Sequence, residues 1–194
     1  MAWRTIDRKA PPAPVSGGPL LSDAVKDKIR AFFPRYETKR AVMLPALHVI
    51  QDEYNHVSWQ AMQELGELLE VPASDVFDTV SFYTFFWTQP RGKKVVTVCR
   101  SISCEVMGAG EVLAACKHAL GIDEHQTTPD GKYSLATEEC LAVCDHAPCM
   151  YVNERCYKRV RPDQVKAILL DPKNDELPME RSDLFDGPTR SAAK

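Results

Sequence analysis

Cys99 and Cys104 in "CRSISC", and Cys140 and Cys144 in "CLAVC", form a C-x4-C pair followed by a C-x3-C pair, with residues 105–139 between them. Four thiolates in two close pairs are the donor set of a metal centre. Structural zinc sites usually draw on C-x2-C knuckles, which wrap both sulfurs around one small ion, and neither pair has that spacing. A [2Fe–2S] cluster also takes four cysteines but spreads them over two irons, so wider and unequal pairs suit it. Neither pair encloses a histidine, which argues against a Rieske-type centre with its two imidazole ligands. The iron–sulfur reading is favoured. A zinc-binding interaction module stays open beside it, as do four unrelated core thiols, since cysteine also behaves as a small hydrophobe.

Such a cluster is an anion: two ferric ions, two sulfides and four thiolates sum formally to about −2. It therefore needs donors. The loop "EVMGAG" offers backbone N–H groups from Val106 to Gly110 ahead of a helix, and Gly108 and Gly110 would let the backbone approach closely. Ala142 and Val143 can donate in the same way from inside the second pair. Arg100 directly follows Cys99, and a cation there is expected to raise the cluster's potential relative to Arg100→Ala. His146 is expected at the surface or behind the ligands, with Asp145 turned outward. His48, His56, His118 and His125 read as structural or solvated. Of the other thiols, Cys116 falls on the inner face of a helix. Cys149 and Cys156 flank a hairpin turn, where Cys156 would face Tyr151 and Cys149 would be only a diagonal neighbour, too far for a disulfide. Both are expected to be free.

The elements that must position these thiols can be read from periodicity. Residues 1–20 hold four prolines and Gly17–Gly18 and read as a flexible arm. Over 21–88 the pattern is a helical bundle. Ser22 caps a helix that ends at Pro34, and a second covers 39–54 with Pro45 in its first turn. A third follows Ser58 and ends before Pro72, and a short fourth follows Ser74. Residues 89–93 are a linker. From 93 to 170 the pattern becomes strand–helix–strand–strand–strand–helix. "KVVTVC" is a strand ending at Cys99, and a helix spans 108–120 with Gly121 as its C-terminal cap. "YSLATEEC" is a strand ending at Cys140. "APCMYVN" and "RCYKRV" form a hairpin around Asn153–Glu154, and Pro162 opens a last helix. The basic run from Tyr157 to Arg161 reads as a solvated strand edge. Residues 171–194 form a polar tail. Both cysteine pairs thus begin where a strand of a parallel strand–helix–strand unit ends, the usual ligand edge of an open α/β sheet.

Composition narrows the function. The 194 residues carry a net charge of −3, which gives no basic excess for nucleic acid. No apolar run reaches the roughly 20 residues of a membrane span, so no direct membrane insertion is expected. The N-terminus lacks a signal core, which points to a cytoplasmic protein, and seven cysteines in that compartment point to metal rather than disulfides. The sequence contains no G-x-x-x-x-G-K-[ST], no G-x-G-x-x-G after a strand, no G-x-S-x-G and no C-x-x-C. What remains is a carrier of one electron, with no catalytic residues of its own.

The segments "SFYTFF" (81–86), "TTPDGKYSL" (127–135) and "ECLAVCDHAP" (139–148), with Cys99 and Cys104, carry a family resemblance. They resemble the E-subunit family of bacterial NADH:quinone oxidoreductase (respiratory complex I), equivalent to mitochondrial flavoprotein 2. The resemblance spans about 20–170. It implies an α+β chain: an N-terminal helical bundle followed by a thioredoxin-like α/β ferredoxin domain. It implies one [2Fe–2S] cluster held by Cys99, Cys104, Cys140 and Cys144. It further implies an electron-transfer subunit of an NADH dehydrogenase complex that exchanges electrons with FMN, the FMN and NADH being bound by a partner subunit, with other peripheral-arm subunits as neighbours. Its place would be peripheral, on the cytoplasmic side of the inner membrane. The equivalent subunit of a soluble NAD-linked hydrogenase or formate dehydrogenase is the competing reading. The family often has glycine where this chain has Ala142.

Overall fold

The computed structural model describes residues 18–175, which divide into two compact units, 18–89 and 90–175. Most of the expected arm and tail (residues 1–17 and 176–194) lies outside the described residues.

The first unit is helical: α1 (Asp23–Arg30), α2 (Met43–Tyr54), α3 (Trp59–Leu69) and α4 (Ala73–Phe82). The Ser22 and Ser58 hydroxyls accept from the N–H groups of Val25 and Ala61, satisfying donors that a helix start leaves open. Helix α4 begins two residues earlier than expected, at Ala73 behind Pro72, so Ser74 lies inside it rather than at its cap. Residues 39–42 form a 3-10 turn leading into α2, which shortens the helix expected over 39–54. Two polar side chains hold the unit's loops. Gln51 is buried; its amide donates to the Phe85 carbonyl and accepts from the Trp87 N–H. The Glu64 carboxylate accepts from the N–H groups of Leu20 and Leu21, at 2.6 and 2.9 Å, and so fastens the chain ahead of α1 to α3.

The second unit is built on a four-stranded sheet of order β2-β1-β3-β4, comprising β1 (Lys94–Cys99), β2 (Tyr133–Glu138), β3 (Met150–Val152) and β4 (Arg155–Tyr157). β1 and β2 are parallel, and the other pairings are antiparallel. α5 (Ile102–Val106) and α6 (Ala109–Leu120) cross from β1 to β2, and α7 (Val165–Leu169) follows β4 behind a 3-10 turn at Pro162–Gln164. Val112 and Cys116 of α6 and Val165 and Leu169 of α7 pack on Val96, Val98, Leu135, Met150 and Val152 of the sheet. The β2 edge is fixed at Gly92. Its N–H donates to the buried Ser134 hydroxyl at 2.7 Å, and a Cβ there would meet the Tyr133 backbone at 2.6 Å, so only glycine fits. The hairpin turns at Asn153–Glu154, and Tyr151 pairs with Cys156 as expected. The basic run from Tyr157 begins on β4, an edge strand.

Candidate metal centre

The sheet register sets the site. Val98 and Cys99 of β1 lie beside Thr137 and Glu138 of β2, and the ladder runs one bond further, from the Arg100 N–H to the Glu138 carbonyl at 2.9 Å. Both cysteine loops therefore leave the sheet at the same end. After β1 the chain turns into α5, which buries Cys104, while Cys99 is covered where its N–H meets the Cys149 carbonyl at 3.2 Å. β2 ends at Glu138 rather than at the expected Cys140, so Cys140 stands in the loop that leads to a 3-10 turn at Cys144–His146.

The two pairs differ in exposure: Cys99 and Cys104 are buried, Cys140 and Cys144 exposed. The sulfurs of Cys140 and Cys144 are 3.7 Å apart. Two thiolates on one tetrahedral ion, with metal–sulfur bonds of about 2.3 Å, would be about 3.8 Å apart, so this pair is spaced for chelation. Cys99, Cys104 and a third buried thiol, Cys149, hold their sulfurs within 4.8 Å of one another. Ala109, Ala147, Leu141 and Val143 pack around this group and exclude water from one side of the site.

Electrostatics act in opposite directions at the two thiol pairs. Burial opposes ionisation of Cys99, but N–H groups of Ser101 and Leu141 and the Ser101 hydroxyl favour its thiolate more strongly, and its pKa is pulled below the usual thiol value. Leu141 belongs to the second cysteine loop, so one loop solvates the other's sulfur. The Cys140 thiol pushes the Cys144 pKa up, with the Cys104 charge a smaller contributor. Two sulfurs this close resist joint ionisation until a metal cation lies against them. The Ser101 Oγ is buried without a nitrogen or oxygen partner, and it acts on both Cys99 and Cys144. A buried hydroxyl left over between two thiol pairs is suited to donating to cluster or ligand sulfur.

Several expectations change here. The donors toward Cys99 come from Ser101 and Leu141; the Met107 and Gly108 N–H groups are used by the Ser103 and Glu105 carbonyls. Gly108 is required by its φ of 94° at the start of α6, a conformation glycine adopts freely. From the second loop, the Ala142 N–H does reach Cys140 Sγ, at 3.3 Å. Arg100 faces Glu139 at 3.5 Å, so its charge is partly matched. Asp145 points outward and meets His146 Nδ1 at 2.7 Å; its carboxyl is held below the usual range by that imidazole. Cys116 is a core thiol whose pKa burial pushes up to about 12. Cys156 is half-buried and free. Nothing in the spacing of the cysteines brings Cys149 to this site. Hairpin geometry says where it sits relative to β4, but its approach to Cys104 is a tertiary contact between residues 45 apart in the chain, which no local period records.

Two thiol loops at one end of a mixed sheet, lined with sulfur-directed donors and shielded on one side, are the architecture of an iron–sulfur electron carrier. The sequence profile of the thioredoxin-like [2Fe-2S] ferredoxins matches residues 29–173, and the chain belongs to that family. It is an α+β electron-transfer protein, and its cofactor is a [2Fe–2S] cluster. Among its relatives, the NADP-reducing hydrogenase subunit HndA of Solidesulfovibrio fructosivorans is 35% identical over 152 residues, covering 78% of this chain and 89% of that one. The E subunit of the NADH-quinone oxidoreductase of Pseudomonas aeruginosa is 35% identical over 150 residues, covering 77% and 90%. The fold is also found in the crystal structure of an air-oxidised NAD+-reducing [NiFe]-hydrogenase, with a TM-score of 0.58 at 24% identity; the match covers 72% of this chain and 24% of that longer one. No helix among the described residues is long and apolar enough to cross a membrane.

Proposed function

We propose that this chain is the [2Fe–2S] electron-transfer subunit of an NADH:quinone oxidoreductase, with Cys99, Cys104, Cys140 and Cys144 as the cluster ligands. The observation that carries this reading is the asymmetry of the site, with one thiol pair buried against the sheet and the other open at the surface. The cluster, when bound, supplies a one-electron couple. The chain's own residues do the rest. Cys99 and Cys104 would hold the cluster from the buried side, and Cys140 and Cys144 from the exposed side, through which an electron can enter or leave. Ser101 and the Leu141 and Ala142 N–H groups donate toward sulfur, which favours the more negative, reduced form. Around the first pair, Ile102, Val106 and Met107 are 82, 79 and 61% exposed. An apolar surface beside a redox site suits a protein partner. That partner is an FMN- and NADH-binding subunit, whose flavin exchanges electrons with the cluster, within a peripheral arm on the cytoplasmic side of the inner membrane.

A second reading rests on HndA, which is as similar to this chain as the Pseudomonas aeruginosa relative is. In it the same carrier serves a soluble NAD(P)-linked hydrogenase. Isolation of the native complex separates the two: membrane quinone-module subunits support the first, a hydrogenase large subunit the second. Iron and labile sulfide assayed on the anaerobically purified chain test the site itself. About two of each per chain are expected, and zinc without iron would overturn the cluster. Cys140→Ala should remove it while leaving the sheet folded.

A further inference from the structure

The buried side of the centre holds three thiols where a [2Fe–2S] site with two cysteines per iron needs two. Cys149 Sγ lies 3.9 Å from Cys104 Sγ, both residues are fully buried, and their sulfurs and that of Cys99 all fall within 4.8 Å. Cys149 Sγ is thus next to the place of Cys104 Sγ while staying within 4.8 Å of Cys99, the thiol with which it would share an iron. Cys149 is also well fixed. The Cys99 N–H donates to its carbonyl, Met150 beside it pairs with Val98, and the Val160 N–H holds the Pro148 carbonyl at 2.9 Å. The exposed side has no such surplus: among the described residues, the only thiols on the second loop are Cys140 and Cys144.

We propose that Cys149 is a reserve ligand, able to take the coordination position of Cys104 on the inner iron. This rests on the four-cysteine reading above. The exchange balances without an oxidant or reductant. The iron–sulfur bond to Cys104 breaks, the bond to Cys149 forms, and the proton of the Cys149 thiol passes to Cys104. When Cys104 is replaced or chemically blocked, Cys149 fills the vacancy and the proton leaves to solvent. The two halves of the site then differ in tolerance, with a repairable inner iron and an outer iron that has no substitute donor.

The full-length chain is reconstituted anaerobically with ferrous iron and sulfide as wild type, Cys104→Ala, Cys149→Ala, Cys140→Ala and the double variant Cys104→Ala/Cys149→Ala. Iron and labile sulfide per chain are then measured, with the electron paramagnetic resonance spectrum of the reduced form. Wild type and Cys149→Ala are expected to load fully, and Cys104→Ala to keep about half or more of that content with a shifted all-thiolate spectrum. Cys140→Ala and the double variant should fall about tenfold. Cys104→Ala as empty as Cys140→Ala overturns the reserve ligand, and so does a double variant that loads like Cys104→Ala. Should Cys104→Ala fail to fold by circular dichroism, Cys104→Ser decides. Adding Cys149→Ala must then change its spectrum, and an unchanged, serine-ligated spectrum overturns the proposal. A wild-type chain that takes up no iron overturns the functional reading itself, which sets that failure apart.

Discussion

Ala142 sits between the second pair of thiols with φ 57°, in the left-handed region. A Cβ there costs about 1–2 kcal/mol, and the position is exposed. Glycine removes that strain but enlarges the unfolded ensemble by about 0.4–1 kcal/mol. Ala142→Gly should therefore stabilise the apo chain by about 0.5–1 kcal/mol, read from denaturant unfolding; a lower midpoint would show that the methyl group is packed. Arg100 offers a second test. Its partner Glu139 lies in the other cysteine loop and both side chains are exposed, so the two charges largely cancel at the cluster. Arg100→Ala should lower the midpoint potential and Glu139→Ala should raise it, both effects shrinking with added salt. Equal midpoints for all three proteins would rule out a through-space influence. At this scale the four spaced cysteines were legible, because chelation imposes close sequence spacing. Cys149 and the donors at Ser101 and Leu141 were not, because they come together only through the tertiary turn and the strand ends.

Among the elements, the chain ahead of α1 is fastened by Tyr54, Gln60 and the Glu64 carboxylate, and only the carboxylate titrates in acid. Burial works against the charge on Glu64, but the N–H groups of Leu20 and Leu21, the Gln60 amide and Lys26 outweigh it, and its pKa lies below the ordinary 4.5. A depressed carboxyl contributes stability that is complete above its unfolded-state value and is lost as pH falls through the folded one. Hydrogen exchange at Leu20 and Leu21, corrected for its intrinsic dependence on pH, should therefore accelerate below about pH 4.5 in the wild type. In Glu64→Gln it should be fast, with that acid step missing. A persisting acid step in the variant would mean that another group titrates there. The capped helices and the strands were legible as elements because serine caps, proline stops and β-branched runs act locally. α5 was not, since five residues carry no helical period. The early end of β2 was also hidden, since "TEEC" continues the strand pattern while the ladder stops at Glu138.

For the whole molecule, the two units have separate cores. Leu47, Ile50, Leu65 and Val76 belong to one, while Val96, Leu135, Met150 and the buried thiols belong to the other. Metal bound to the native state alone stabilises the unit that holds it. Stripping the metal with a chelator should lower the calorimetric transition of 90–175 and leave that of 18–89 in place. A single transition moving as one would show that the units unfold cooperatively.

The parallel pairing of β1 with β2 also makes the sheet a gauge. Six consecutive pairs, from Lys94 with Tyr133 to Cys99 with Glu138, set how far the first thiol lies from the second loop. The intervening helix and connection have no part in that measurement. One extra residue inside β2 would carry Cys140 off its mark and turn alternate side chains to the wrong face. Several added in the exposed turn before Gly131, ahead of the carbonyl that takes the Lys93 N–H, should leave iron binding untouched. Length along the chain is thus free to vary between the cysteine pairs, while alignment across the strands is not.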